Sequence, residues 1–342
     1  MRVLVAMSGG VDSSVAAALA VEAGHEVVGA TMKLWGGPSD SGCCSVSDVD
    51  DARRVAQQIG IAHHVFNFSE DFDRDVVAPY VDAHAGGLTP NPCIECNRHL
   101  KFDRLLVRAV QLGFDAVATG HHARVTPVDG GGWSLRRGAD PAKDQSYVLH
   151  MLNQEQLART LLPVGAMTKA EVRDRAAQLG LRTAEKPDSQ DVCFISRKGG
   201  RASFLEGRIA LHPGSILDEA GHRVGEVAAV ELVTIGQRKG LGPAIGERYV
   251  TAVDPVAATV TVAPLDRLMV DRIAVSGMSW VDGPPTPGAR LEVQMSAHGA
   301  PVPARWDGEG AVHTEVPVRR VAPGQSVVLY RGDAVVGGGT AG

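Results

Sequence analysis

The stretch Ser8-Gly9-Gly10-Val11-Asp12-Ser13-Ser14 lies between an apolar run, Val3-Leu4-Val5-Ala6, and a small-residue run, Val15-Ala16-Ala17-Ala18-Leu19-Ala20. It constrains the fold more than any other segment. A strand, a glycine turn and a helix start in direct succession form an anion cradle. The first N–H groups of the helix have no intrahelical acceptor, and the helix dipole favours negative charge there. Gly9 and Gly10 let the backbone approach closely and take positive φ. Ser8, Ser13 and Ser14 add hydroxyl donors. Asp12 repels a phosphate unless a cation lies between them, so it predicts Mg²⁺. The bland alternative is an ordinary Gly-Ser turn, against which strand, loop, acid and helix all agree.

Residues 1 to about 205 alternate strands and helices. Val27-Val28-Gly29-Ala30 reads as a strand ending near Met32, and Val49 to Ile59 as a helix closed by Gly60. Val65-Phe66 is a short strand, Leu100 to Leu112 a helix closed by Gly113, and Ala116-Val117-Ala118 a buried strand. Thr168-Lys169-Ala170-Glu171 is a capping box opening a helix that ends at Gly180. This order predicts an α/β fold with a Rossmann-like parallel sheet covered on both faces and ligands at the strand carboxyl ends. Ser8, Met32 and Gly120 follow strand ends and can converge on one nucleotide. Beyond residue 206, helical periods vanish and short apolar runs alternate with Gly and Pro, predicting two small β-rich domains. The expected division is 1–205, a nucleotide-binding catalytic domain, then 206–264, then a C-terminal β-barrel over 265–342. Gly337-Gly338-Gly339 reads as a flexible tail.

With 342 residues, 44% hydrophobic, the chain can bury several cores. Aromatics make up only 4%, which argues against a stacking platform for single strands, and a net charge of −5 argues against binding nucleic acid by bulk charge. Neither a long apolar run nor a signal peptide is evident, so the expected location is the cytoplasm, without a membrane. There, five cysteines point to catalytic, redox or metal chemistry.

Cys93 and Cys96 form a C-x-x-C at the entrance to a helix, followed by Arg98, His99 and Lys101. That setting favours the thiolate. Cys193 lies far along the chain. Zinc, a three-cysteine iron–sulfur site with one open iron, a thiol pair passing a persulfide, and inert core cysteines all remain open. Cys43-Cys44, adjacent in a Gly/Ser loop, receive no chemistry.

The first loop lacks the lysine of a P-loop and the spacing of a dinucleotide fingerprint. It resembles the Ser-Gly-Gly-x-Asp-Ser loop of ATP pyrophosphatases, which split ATP between the α and β phosphates. The chain as a whole resembles the bacterial tRNA-specific 2-thiouridylase family. The resemblance rests on Met7 to Ser14, Thr89 to Asn97, Lys101-Phe102, Ala118 to His122, Lys143 to Tyr147, Asp188 to Ile195 and Thr234 to Gly242. It implies ATP-dependent adenylation of O2 of the wobble uridine (position 34) of tRNA. Persulfide sulfur then replaces the oxygen to give 2-thiouridine, AMP and pyrophosphate. It implies Cys96 as nucleophile and Cys193 as persulfide carrier, with a disulfide left between them. A cysteine desulfurase or sulfur-relay protein would be the donor.

Residue by residue, the resemblance implies that Ala6, Met7, Ser8, Gly9, Gly10, Val11, Asp12 and Ser13 wrap the phosphates, with Asp12 on the metal. Met32 and Gly120 would contact the nucleotide. Asn91, Pro92 and Cys93 would face the target base, and His121, Lys143, Asp144, Gln145 and Gln325 would contact tRNA. The bland readings are core packing for Met32, a loop histidine for His121 and solvated charge for Lys143. Some members carry Asp, a candidate general base, where this chain has Cys93. Some carry an Arg-Tyr pair near Ser296-Ala297. Arg98, Lys101, Arg104 and Arg108 are spaced to share a helical face, and Arg197, Lys198, Arg201 and Arg208 follow Cys193. The competing functions are another ATP pyrophosphatase acting on a small molecule and a non-catalytic RNA-binding or sulfur-carrier protein.

Overall fold

The computed structural model describes residues 1–34, 46–188, 192–195, 199–242 and 245–342. The chain opens with strands β1 (Arg2–Ala6), β2 (Glu26–Lys33), β3 (Ala62–Asn67) and β4 (Ala116–Ala118). A hairpin follows, β5 (Ala123–Pro127) and β6 (Trp133–Arg137), and then β7 (Thr160–Leu161). Five of these strands form a parallel sheet in the order β3-β2-β1-β4-β7. Alternation along β1 explains how the sheet is covered on both faces. Val3 and Val5 pack with helices α1 (Val11–Glu22) and α2 (Val46–Ile59), while Leu4 joins the opposite core with Leu100 and Leu105. Burying a side chain such as Leu4 contributes about 2 kcal/mol.

The capping box forms as expected: Thr168 accepts from the Glu171 amide, and the helix Lys169–Gln178 follows. The cysteine helix differs from expectation. It starts at Pro92 and is wound as a π-helix over Cys96–Arg104 before continuing to Gln111. Hydrogen bonding from i to i+5 widens the turn, so an i, i+3 spacing no longer keeps one face. The shared basic face does not form. Arg98 pairs with Glu95, Lys101 meets His121, and Arg104 turns to Asp71 and Asp75.

Two β-rich sheets complete the chain. One, in the order β10-β11-β8-β9, comprises β8 (Gly214–Leu217), β9 (Arg223–Val227), β10 (Tyr249–Asp254) and β11 (Thr259–Ala263). The other comprises β12 (Met269–Trp280), β13 (Arg290–Gln294), β14 (Val302–Trp306), β15 (Ala311–Arg319), β16 (Ser326–Arg331) and β17 (Ala334–Ala341). It closes on itself because β12 pairs with both β15 and β17.

The expected flexible tail is instead β17, held between β12 and β16. A Cβ at Gly338 would come 2.6 Å from the His150 ring and 2.8 Å from the Val327 carbonyl, so these glycines serve close packing. The hairpin β5–β6 adds to the edge of β17, with Arg124 and Arg136 both on Asp333. A segment from the first half of the chain is therefore continuous with the barrel sheet.

Candidate active site

The phosphate loop leaves the carboxyl end of β1. Gly9 has φ +73°, and a Cβ there would lie 2.2 Å from the Asp48 carbonyl at the start of α2. Gly120, after β4, leaves room for the backbone of Asp12 and Ser13, 2.6 Å from where its Cβ would be. Gly10 caps α1 in extended conformation without a side chain, so the opening amides of the helix have no side-chain cap. Within the loop the Ser8 amide donates to Ser13 Oγ (3.2 Å), and Ser13 and Ser14 hydroxyls donate to the Gly10 carbonyl (3.1 and 2.8 Å).

The loop is tied electrostatically to the segment that leads to Cys193. Lys169 Nζ donates to both Asp12 carboxylate oxygens at 2.7 and 2.8 Å and lies 2.9 Å from Asp188. Lys143 and Arg173 also hold Asp188, at 2.9 and 2.7 Å. Lys186 donates to the Gly9 carbonyl (2.9 Å) and to Asp48 and Asp51 (both 2.7 Å). Burial pushes the carboxyls of Asp12 and Asp188 up, but their hydrogen bonds outweigh it. His122 and Lys169 hold Asp12 below the ordinary value, and Lys143 with Lys169 holds Asp188 below it. His122 Nε2–H donates to Asp12 at 3.1 Å, while its buried Nδ1 has no partner among the described residues.

Cys96 is buried in the same apolar core as Phe194, with Cys193 packed against it half-buried. Phe194 makes edge contacts with Phe72 and Tyr80, which anchor the segment on this face of the sheet. Cys93 is exposed, its amide donating to the capping oxygen of Asn91 at 3.1 Å. The two cysteines, distant in sequence, thus both belong to the core that includes Met32.

Comparison with known proteins matches the whole chain. Residues 1–197 match the tRNA methyl transferase HUP domain, 202–264 the tRNA methyl transferase PRC-barrel domain and 270–341 the aminomethyltransferase beta-barrel domain. The tRNA-specific 2-thiouridylase MnmA of Chloroflexus aurantiacus is 48% identical over 349 residues, covering 99% of this chain and 97% of the relative. The chain belongs to the tRNA-specific 2-thiouridylase family. The family protein of Thermobifida fusca is 47% identical over 351 residues, covering 99% of this chain and 95% of its own length. A solved archaeal U34-tRNA thiolase, NcsA of Methanococcus maripaludis with its [4Fe-4S] cluster, overlaps 56% of this chain and 61% of its own. Its TM-score is 0.38 and its identity 17%, and that likeness carries no argument here.

Several residues that the thiouridylase resemblance assigned outward roles face inward. Asp144 accepts from Arg137, the Gly138 amide, and the Ser146 amide and hydroxyl, and its side chain is 7% exposed. It anchors the end of β6. His121 is buried, its Nδ1–H donating to Thr119 Oγ1 (2.7 Å) and its Nε2 accepting from Lys101 (3.3 Å). Burial, then Lys101, pushes its pKa well below the usual value, so it is neutral. Met32 is buried in the core. Gln325 donates its side-chain amide to the Thr89 carbonyl. Lys143 remains partly exposed beside Asp188, and Gln145 holds the His122 amide at 2.9 Å.

Among the described residues no group of three His, Cys, Asp or Glu side chains is placed to hold a metal. The cluster on Cys93, Cys96 and Cys193, one of the alternatives left open, finds no support: Cys93 is exposed while Cys96 is sunk in the apolar core. Asp12, expected on Mg²⁺, offers a single carboxylate already engaged by Lys169. Cys43, Cys44, Arg197 and Lys198 lie outside the described residues. Arg201 and Arg208 serve the fold, donating to the Leu232 and Phe204 carbonyls. No helix among the described residues is long and apolar enough to cross a membrane.

Sequence reasoning missed Lys169 and Lys186. A signal for Lys169 existed. A lysine at the first position of a helix opposes the macrodipole and needs anionic partners close by.

Proposed function

We propose that the chain catalyses ATP-dependent 2-thiolation of uridine 34 in tRNA, in the cytoplasm. The observation that carries this reading is the joining of three parts. A phosphate loop without a side-chain cap, the Asp12–Lys169–Asp188 network tied to it, and an apolar core that includes both Cys96 and Cys193 occur in one sheet domain. Phosphate oxygens take the donors of Ser8 to Ser13, and Lys169 supplies fixed positive charge as pyrophosphate departs. Mg²⁺ arriving with ATP would be held mainly by the phosphate oxygens, with Asp12 joining only where it gives up a contact to Lys169, and would neutralise the leaving group. Uridine O2 is a poor leaving group, and adenylation makes it leave as AMP.

Sulfur arrives on Cys193 as a persulfide, loaded by a cysteine desulfurase or sulfur-relay protein. The Cys96 thiolate attacks the Cys193 sulfur, forming a Cys96–Cys193 disulfide and releasing hydrosulfide, which attacks C2 of the adenylated base. A thiol reductant resets the pair. Asn91, Pro92 and Cys93, at the start of the cysteine helix where Cys93 is exposed, face the base, and Lys143 and Gln145 border the RNA. Cys93 takes the general-base position. Pyrophosphate release measured with unmodified tRNA tests the reading. Release that depends on tRNA is expected. Release triggered by small metabolites and not by tRNA would overturn it.

A further inference from the structure

The segment that enters the cysteine helix is gripped from outside the first domain. The Thr89 amide donates to the Pro323 carbonyl at 2.9 Å, beside the barrel strand β16. Its carbonyl accepts the Gln325 side-chain amide. Its hydroxyl donates to Thr234 Oγ1 at 3.3 Å, in the segment between β9 and β10. Gly324 packs where a Cβ would lie 3.2 Å from the Thr89 amide nitrogen and 3.4 Å from that of Pro90. Gly87 packs in the same way against Pro255 and Val253. One residue of the sheet domain thus meets segments adjoining both β-rich sheets. Two residues later, Asn91 caps the helix that carries Cys93 and Cys96.

We infer that Gln325 is a positioning residue. By holding Thr89 it sets the approach of Asn91, Pro92 and Cys93 to the target base. One N–H of its side-chain amide is spent on the Thr89 backbone carbonyl, which fixes the side chain on that segment. Pro90 and Pro92 stiffen the connection, so a displacement at Thr89 is transmitted to the Asn91 cap instead of being absorbed. Misplacing a reacting group by a fraction of an ångström lowers the turnover step more than binding. The inference rests on the tRNA-thiolation reading above.

The test compares Gln325→Met, which keeps the side-chain volume and removes the donor, with the unaltered full-length protein. tRNA-dependent pyrophosphate release gives kcat and KM, direct binding of unmodified tRNA gives Kd, and thermal unfolding checks the fold. We expect kcat to fall about tenfold with the Kd for tRNA within about twofold. Gln325→Lys, which restores a donor of similar reach, recovers most of kcat. A weakened Kd with kcat preserved at saturating tRNA would make Gln325 an RNA contact and overturn the inference, as would no change in either. If Gln325→Met does not fold, Thr234→Val removes a different contact to Thr89 and carries the same expectation and the same refutation. An unaltered protein that releases no pyrophosphate with tRNA overturns the function itself. Normal release with an unaffected variant overturns only the role of Gln325.

Discussion

Lys169 sets its ammonium 2.7 and 2.8 Å from the two carboxylate oxygens of Asp12 and 2.9 Å from Asp188. The side chain is 11% exposed. One largely shielded cation therefore joins the phosphate loop to the segment leading to Cys193. An isolated acid in an anion cradle is unfavourable, and Lys169 offsets it within the protein.

Removing this cation lowers affinity for ligands that carry the β and γ phosphates. Lys169→Gln is expected to weaken ATP and pyrophosphate by about tenfold or more, the scale of a lost charge-assisted hydrogen bond, while AMP binding changes little. Calorimetric titration of the three ligands measures this. An equal loss for AMP would mean that Lys169 only shapes the loop.

In the proposed reaction, the two cysteines of the shared core act after ATP is split. Cys96→Ser and Cys193→Ser are each expected to abolish 2-thiouridine formation, while tRNA-dependent pyrophosphate release continues at a similar rate. Nucleoside analysis of the tRNA beside a pyrophosphate assay separates the steps. Thiolation surviving in Cys96→Ser would exclude the disulfide route.

Asp144 is held by four hydrogen bonds inside the fold. Asp144→Asn breaks its pair with Arg137, whose guanidinium also lies 3.7 Å over the Tyr330 ring. Breaking a buried pair by removing one partner costs about 3–5 kcal/mol, so a loss toward the lower end is expected in chemical unfolding. Unchanged stability with weakened tRNA binding would return Asp144 to the RNA contacts.

Acid should destabilise the protein in two stages. Burial lowers the His150 imidazole to about 4, and burial with Arg201 lowers His84 to about 4. The folded values lie below the unfolded value near 6.5, so between pH 6.5 and 4 the unfolded chain binds more protons. This stability is complete above about pH 6.5 and lost as pH falls toward 4, on the order of 3 kcal/mol for fully buried His150. Asp12 and Asp188 are also held low, so their contribution is lost only as pH falls below their ordinary value of 3.8. Unfolding free energies at pH 7.5, 5.5 and 4.5 check the sign. A flat profile across these values would contradict it.

Local patterns were legible wherever the cause is local. The strand–Gly-Gly–helix loop, the Thr168–Glu171 cap and the Gly60, Gly113 and Gly180 helix ends depend on neighbouring residues, and each forms where expected. The π-winding of Cys96–Arg104 was not legible, because i, i+3 spacing reads the same for either helix until tertiary contacts choose the turn. Nor was β17 legible, since a triple glycine looks flexible until close neighbours on both sides require the absence of side chains.

The sequence by itself determined the phosphate loop and the parallel sheet around it, because both follow from residue type at short spacing. The roles proposed for Cys96 and Cys193 rest on the family resemblance and not on any local pattern. Tertiary structure alone decided which groups stand beside them: Lys169 on Asp12, Cys193 against the core of Cys96, and Gln325 on Thr89. Those pairs are separated by 157, 97 and 236 residues. Only the closing of the sheet and the barrel brings them within hydrogen-bonding or packing distance, and no local pattern encodes a contact made at that separation.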